Sequence, residues 1–353
     1  MASPSTPEQT KTQEYGVRGF AAPEGDDGRV RKGDIAIRVS RASKLFGAKI
    51  AVDDLTLQIE AGSVFGLIGP NGAGKTTTFS MLAGYLKPTS GELEVLGYRP
   101  GDADALRSRR GVLPQDALLP AGDRVGEFLT DMARLQGMSF RKAAGAARDA
   151  LAEVDGRTFW NAKCGALSHG MAKRVQLAQA LLGHPDVVLL DEPTAGLDPR
   201  IAYEVRQLIK SRRGTCTMIV SSHNLQELEE VCDGAAILDR GRLVAGGSMS
   251  DLTAATQEVR FKVPRTVAQV GGGSPPAANA LSLVQDLPVV KLAEYDDERG
   301  ELIVRFDSRG QADAEQVIEA VLRVLLEQRV RISGVSKGRG LEQRVMEMTD
   351  TRS

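Results

Sequence analysis

Residues 69–76, Gly-Pro-Asn-Gly-Ala-Gly-Lys-Thr, restrict the possible folds of this chain more than any other segment, because they match G-x-x-x-x-G-K-[ST] at every fixed position. An apolar run at residues 63–68 precedes them. A helical pattern that starts at Lys75 or Thr76 follows them and continues through Leu82. The order strand, glycine-rich turn, helix is typical of α/β folds with a phosphate-binding turn. The segment therefore predicts an α/β fold.

The ligand predicted for this turn is a nucleotide with Mg²⁺. Glycines allow backbone N–H groups to curl around phosphate oxygens without a clash from Cβ, and the following helix points its positive dipole end at the same place. Lys75 is expected to reach the β- and γ-phosphates, and the Thr76 hydroxyl is expected to bind Mg²⁺. The predicted nucleotide contacts on this segment are Gly69, Pro70, Asn71, Gly72, Ala73, Gly74, Lys75, Thr76 and Thr77.

Two adjacent carboxylates, Asp191 and Glu192, follow the short apolar run at residues 187–190. The run predicts a buried parallel strand, and ligands of open α/β sheets bind at the carboxyl ends of the strands. Neighbouring carboxylates repel each other unless a cation or a proton separates their roles. We therefore predict that Asp191 binds Mg²⁺ and that Glu192 orients or deprotonates a water molecule. The alternative, that Asp-Glu-Pro-Thr only caps a helix, is weak downstream of a phosphate-binding turn.

The sequence divides into three parts by composition and pattern. Residues 1–33 are rich in Pro, Gly, Ser, Thr and charge, and predict a disordered tail. Residues 34–249 predict the α/β domain, with a helical insertion at about 116–170, and residues 250–353 predict a small α+β domain. The elements predicted for this last part are a hairpin of 290–295 with 302–306, a helix over 312–326, a strand over 330–332 and a final helix over 341–348.

The charge balance of 45 Lys plus Arg against 46 Asp plus Glu gives a net charge of −1. Proteins that coat nucleic acid usually carry a basic excess, so no nucleic-acid partner is expected. The sequence has no run of ~18 apolar residues that would predict a transmembrane helix, and its first thirty residues lack the apolar core of a signal peptide. The chain is therefore expected in the cytoplasm. Any role at a membrane would require a partner protein.

Five further segments stand in a fixed order around the two motifs. They are Phe46 in Lys44-Leu45-Phe46-Gly47, Gln115 after Pro114, the run Leu167-Ser168-His169-Gly170-Met171, Asp198 at the end of Ala195-Gly196-Leu197-Asp198, and His223 after two serines. In this order and spacing, residues 34–249 resemble the nucleotide-binding subunit of ATP-binding cassette (ABC) transporters. Residues 167–171, the signature segment, depart from the family's commonest form, Leu-Ser-Gly-Gly-Gln, at His169 and Met171. This variant is similar to that of bacterial drug, polysaccharide and daunorubicin-resistance exporters.

The resemblance implies a role for each of these residues. Phe46 would stack on adenine, Gln115 would contact Mg²⁺ and the transporter interface, and His223 would contact the γ-phosphate as a catalytic residue beside Glu192. Ser168 would donate to a γ-phosphate oxygen, and Gly170 would let the backbone approach it. The ATP contacts implied on the signature segment are Ser168 and Gly170, and the one implied on residues 195–198 is Asp198.

The function implied by the resemblance is ATP hydrolysis coupled to transport. The fold would be that of a P-loop NTPase of the ABC type, acting as a head-to-tail homodimer or heterodimer with ATP and Mg²⁺ at the dimer interface. Hydrolysis would drive a separate membrane permease, with export implied by the signature variant, and the subunit would lie on the inner face of the cell membrane. The transported substrate and the role of the C-terminal domain are not encoded in these motifs.

Two other classes of ABC ATPase are the alternatives. A soluble assembly factor without a transport role is disfavoured because residues 332–349 resemble the C-terminal tail of exporter-type subunits. A DNA-repair or chromosome-structural ATPase carries a very long coiled coil between the phosphate-binding turn and the signature segment. This chain has too few residues between Thr76 and Leu167 for such a coiled coil.

Overall fold

The computed structural model of the chain describes residues 34–254, 258–263, 276–297, 299–306 and 314–337. The predicted tail at residues 1–33 and the predicted final helix at 341–348 lie outside these ranges. The strands of the first part are β1 (Ile35–Phe46), β2 (Lys49–Glu60), β3 (Val64–Ile68), β4 (Ser90–Val95), β5 (Arg110–Leu113), β6 (Val187–Asp191), β7 (Thr217–Ser221), β8 (Gly234–Asp239) and β9 (Arg242–Ser248). Its helices are α1 (Lys75–Leu82), α2 (Val125–Leu135), α3 (Phe140–Glu153), α4 (His169–Leu181), α5 (Pro199–Ser211), α6 (Leu225–Val231) and α7 (Met249–Ala254).

A six-stranded sheet with the order β5-β6-β7-β3-β8-β9 forms the centre of this part. All neighbouring strands pair in parallel except β8 with β9. Every residue of β3, β6 and β7 is buried, as expected for strands covered on both faces. Because the strands are parallel, the segments that follow β3, β5, β6 and β7 leave the sheet at the same edge.

A smaller antiparallel sheet, with the order β2-β1-β4, packs against the central sheet. Ile37, Leu55 and Leu93 of this sheet join Leu67 of β3 and Leu189 of β6 in one apolar core. The hairpin between β1 and β2 turns at Gly47, whose φ of 59° lies in the left-handed region that favours glycine. The core of this sheet thus anchors the hairpin that carries Phe46.

The predicted helical insertion contains α2 and α3, which pack on each other and on α4. A second apolar core joins these helices to the other face of the central sheet, with Leu129, Leu151 and Leu177 fully buried. Trp160, the only tryptophan of the chain, lies over the start of α2. Its indole ring also contacts Arg148, whose guanidinium carbon is 4.4 Å from the ring centroid.

Gly126→Ala is expected to destabilise the helical insertion. A Cβ on Gly126 would lie 2.4 Å from the Trp160 ring, so the indole must move, at a cost of about 1–3 kcal/mol. That cost exceeds the gain of roughly 0.5–1 kcal/mol from replacing a helical glycine by alanine. Urea unfolding followed by Trp160 fluorescence measures the difference. Gly145→Ala on α3 is the matched control, because a Cβ there meets nothing within 4 Å, and an equal loss in both variants would contradict the prediction.

The C-terminal residues form a separate four-stranded antiparallel sheet with the order β11-β12-β10-β13. Its elements are β10 (Glu258–Lys262), α8 (Pro276–Gln285), β11 (Leu292–Asp296), β12 (Glu301–Arg305), α9 (Ala314–Glu327) and β13 (Gly334–Lys337). Phe261, Val304 and Val321 belong to its own apolar core. The division of the chain at residues 249 and 250 stays a prediction, and Met249 and Leu252 of α7 pack into the core of the central sheet.

The strand predicted over residues 330–332 is wrong. Arg329 has a left-handed φ of 56°, and the Val330 N–H donates to the Leu325 carbonyl at 2.8 Å, so these residues end α9. Val330 is buried because it packs in the core beside the helix end, and pairing with β10 begins only at Gly334. The predicted hairpin is present as β11 and β12, whereas α8 has no counterpart among the predicted elements.

Candidate functional site

A cavity of about 460 Å³ opens where the parallel strands of the central sheet end. The phosphate-binding turn after β3 and segments at the ends of β5, β6 and β7 all line it. These segments come together because the parallel strands end at the same edge of the sheet. The lining residues are Lys49, Ala51, Pro70, Asn71, Gly72, Gly74, Lys75, Thr76, Thr77, Gln115, Asp191, Glu192, Ala195 and His223.

The phosphate-binding turn requires glycine at its two ends. Gly69 has a φ of 155°, and a Cβ there would lie 2.2 Å from the Leu238 carbonyl oxygen of β8. Gly74 has a φ of 102°, and a Cβ there would lie 2.6 Å from the Ala51 carbonyl oxygen. α1 begins directly after Gly74, and the first N–H groups of a helix have no intrahelical partner. The turn therefore presents backbone donors and a positive dipole end to the cavity.

Lys75 lies across this turn. Its Nζ donates to the carbonyl of Gly69 at 2.5 Å and to that of Pro70 at 3.2 Å. Burial lowers the pKa of Lys75, while the nearby carboxylates of Glu192 and Asp191 act in the opposite direction. The side chain is thus a buried cation at the place where phosphate charge is expected.

Asp191 is the last residue of β6 and pairs in register with Ser221 of β7. The Ser221 hydroxyl donates to Asp191 Oδ1. Burial raises the pKa of Asp191, and the hydrogen bond from Ser221 opposes that shift. A cation bound beside this carboxylate would favour its charged form.

Glu192 follows β6 with a φ of 51°, which is uncommon for a residue other than glycine. Its N–H donates to Ser221 Oγ at 3.0 Å, and its Oε2 lies 2.8 Å from His223 Nδ1. Its carbonyl accepts from Lys173 Nζ at 3.1 Å. Glu192, a lining residue of the cavity, is thus held at its N–H, its carbonyl and its carboxylate.

The residues that line the cavity fit Mg²⁺ in the type of atom they offer. Mg²⁺ prefers oxygen ligands and commonly uses one or two protein groups together with substrate phosphates. Thr76, Gln115 and Asp191 line the cavity, and each has a side chain that carries oxygen. In the ranges that the structure describes, no group of three or more His, Cys, Asp or Glu residues is arranged to hold a metal.

Several predicted site residues do not line this cavity. Ala73 of the turn is buried and Gly69 is partly buried, and Phe46 of the β1–β2 hairpin is 49% exposed. Ser168 accepts from the Met171 N–H at 3.3 Å and begins α4, whereas Asp198 accepts from the Arg200 and Ile201 N–H groups and begins α5. The predicted contacts that remain outside the wall of the cavity are Phe46, Gly69, Ala73, Ser168, Gly170 and Asp198.

Five residues in or beside the site are not among those predicted from the sequence. Lys49, Ala51 and Ala195 line the cavity, and Lys173 and Ser221 hold Glu192 from outside it. The sequence did offer a signal for Lys49. It is a basic residue three positions after Phe46, the residue expected to stack on adenine. Lys173 and Ser221 carry no such signal, since their roles depend on contacts across 19 and 29 residues of chain.

Several known proteins are similar to this chain over more than half of its length. The family model described as ABC transporter matches residues 52–195. A Nod factor export ATP-binding protein I of Burkholderia lata is 39% identical over 208 residues, which cover 58% of this chain and 68% of that protein. A daunorubicin resistance ATP-binding protein of Streptomyces coeruleorubidus is 36% identical over 241 residues, which cover 67% of this chain and 76% of that protein.

Solved structures are similar to this chain as well. An ATP-binding subunit of an ABC transporter superposes with a TM-score of 0.57 at 27% identity and covers 62% of this chain and 91% of its own. A dimeric ATP-binding cassette bound to ADP and phosphate has a TM-score of 0.55 at 23% identity, which supports the fold alone, and covers 60% of this chain and 98% of its own. Across the described ranges, none of the helices has the length and apolar character needed to cross a bilayer. The chain belongs to the ABC transporter family, as an ATP-binding subunit that hydrolyses ATP.

Proposed function

We propose that this chain hydrolyses ATP in the cavity between the phosphate-binding turn and Glu192, and that Glu192 positions the attacking water. The observation that carries the proposal is the place of Glu192, which lines the cavity and whose Oε2 lies 2.8 Å from Nδ1 of His223, another lining residue. Lys75, His223 and the backbone amides of the turn would stabilise charge that develops on the γ-phosphate. Glu192 would orient the water for in-line attack and accept its proton.

Thr76, Asp191 and Gln115 are proposed to hold Mg²⁺ together with phosphate oxygens of ATP. When bound, the ion would neutralise negative charge on the β- and γ-phosphates. The protein contributes three lining residues whose side chains carry oxygen. The raised pKa of Asp191 means that binding a cation would also release a proton from any fraction of this carboxyl that is protonated.

Lys75→Ala is expected to weaken ATP binding, because it removes a charged donor from the phosphate-binding turn. A charge-assisted hydrogen bond of this kind contributes about 1.5–3 kcal/mol, so the ATP dissociation constant should rise by roughly 10- to 100-fold. Titration calorimetry measures it. Lys142→Ala, on the exposed face of α3, is the control for loss of a lysine. An unchanged affinity in Lys75→Ala would mean that this turn does not hold the phosphates.

The ATP sites are proposed to lie between two subunits arranged head to tail. Ser168 and Gly170 stand outside the cavity of their own subunit, so a second copy or a related subunit would bring its signature segment to the ATP. Phe46 would stack on adenine from the same subunit as Lys75. Asp198, at the start of α5, would lie at the subunit interface.

The chain is proposed to drive export through a separate membrane permease, on the inner face of the cell membrane. The matching relatives are named for Nod factor export and for daunorubicin resistance, and this supports the direction. An ABC ATPase without a transport role is the weaker alternative. Co-purification of the tagged chain with a membrane protein encoded beside it tests the proposal, and recovery of the chain from the soluble fraction alone would contradict it.

A further inference from the structure

Lys173 is a buried cation that lies outside the wall of the cavity. It belongs to α4, five residues after Ser168, and is only 6% exposed. Placing a lysine in the interior is costly unless its ammonium group has good partners. Burial lowers the pKa of Lys173, whereas the carboxylates of Asp191 and Glu192 act in the opposite direction. A buried ammonium group in this position therefore requires favourable contacts.

The contact is with the main chain of Glu192. The Lys173 Nζ donates to the Glu192 carbonyl at 3.1 Å, and the Ala195 N–H is a second, longer donor to the same oxygen at 3.3 Å. Hydrogen bonds to a charged donor are about twice as strong as those between neutral groups. Lys173 is thus the strong partner of this carbonyl.

The Glu192 backbone has a conformation that needs support. Its φ of 51° lies in the left-handed region, which residues with a Cβ rarely adopt unless neighbouring structure holds them there. Ser221 fixes the N–H of this residue and Lys173 fixes its carbonyl. A residue held on both sides of its Cα can direct its carboxylate to one place, and catalysis depends on such placement to within about 1 Å.

We infer that Lys173 is a positioning residue for ATP hydrolysis, which acts from the signature helix α4 through the main chain of Glu192. The inference rests on the proposed role of Glu192 in positioning water. α4 begins at the N-cap Ser168, so one rigid helix carries both the signature serine and the lysine that holds Glu192. In a head-to-tail dimer these two residues serve different ATP molecules, and α4 would connect the two sites.

Lys173→Met tests this inference, because methionine has a similar length but no donor and no charge. The turnover number is expected to fall by about 10- to 100-fold, with ATP affinity unchanged by calorimetry, because Lys173 does not line the cavity. Lys173→Gln is the second variant, since its amide ends one atom short of the Nζ position, and the same loss is expected. Lys173→Arg keeps a charged donor and is expected to recover part of the activity.

Lys210→Met is the matched control, because Lys210 pairs with Glu230 on the surface of α5 and has no contact with Glu192. Circular dichroism and thermal melting establish that each variant is folded. If neither Lys173→Met nor Lys173→Gln folds, Lys173 is a stability residue and the inference is overturned. Wild-type turnover in a folded Lys173→Met variant overturns it as well.

A double-variant measurement separates positioning from a general structural role. Single-turnover hydrolysis with excess protein is followed in Glu192→Gln alone and in Glu192→Gln combined with Lys173→Met. If Lys173 acts through Glu192, the second change adds little once the carboxylate is gone. If Lys173→Met causes the same fold-loss in the wild-type chain and in Glu192→Gln, the inference is overturned. Full activity in Glu192→Gln would instead refute the proposed role of Glu192 itself, which distinguishes the two failures.

Discussion

Glu192→Gln is expected to reduce ATP turnover by roughly 10²- to 10⁴-fold, the range by which a positioned base accelerates proton transfer. Glutamine has the same shape but cannot accept a proton from water. Because the phosphate-binding turn and Lys75 are untouched, ATP affinity should stay unchanged. A variant that binds but does not hydrolyse should accumulate as an ATP-bound dimer, which size-exclusion chromatography with light scattering detects.

The control for this change is Glu92→Gln, since Glu92 lies exposed on β4, away from the cavity. It should turn over ATP at the wild-type rate. Near-wild-type turnover in Glu192→Gln would contradict the assignment of the carboxylate, whatever the affinity.

The placement of the phosphate-binding turn and of the two carboxylates could be predicted because both are local patterns. The turn at residues 69–76 and α1 follow each other directly in the chain, and α1 begins at Lys75 within the predicted limits. Asp191 and Glu192 come straight after an apolar run that forms the buried strand β6. In both places a strand end and the polar residues beside it lie within a few positions, so periodicity and residue type were sufficient.

Other features depend on contacts that no local pattern records. Lys173 is one of two adjacent basic residues on α4, with Arg174, and only the fold shows that its Nζ reaches a carbonyl 19 residues away. The wrong strand at residues 330–332 has the same origin. Alternating Val330 and Ile332 suit a strand, but the burial of Val330 against the end of α9 overrides that local preference.

Ser168→Arg is expected to reduce ATP turnover strongly, because the bulky cation would occupy the place where Ser168 contacts ATP in a second subunit. Loss of one preorganised donor to a transition state costs about 10²- to 10³-fold in turnover. ATP binding to the isolated subunit should be unchanged, since Ser168 does not line the cavity of its own subunit. Calorimetry and an ATPase assay on the same sample separate the two effects.

Mixing Ser168→Arg with Lys75→Ala provides the control for this interpretation. Each variant alone gives a homodimer with two broken sites. A heterodimer purified with two different tags has one intact site, formed by the turn of the Ser168→Arg subunit and the signature segment of the Lys75→Ala subunit. Activity above that of either homodimer is the expected result, and it would show that the signature segment acts on the ATP of its partner.

In the proposed head-to-tail dimer, one subunit holds only half of each hydrolytic site. The most direct measurement is the specific ATPase activity of the wild-type chain over a dilution series, with the oligomeric state determined by light scattering at each concentration. If the sites are shared between subunits, specific activity falls as the dimer dissociates. The rate then rises faster than linearly with protein concentration. A specific activity that stays constant down to nanomolar protein, in samples shown to be monomeric, would contradict shared sites.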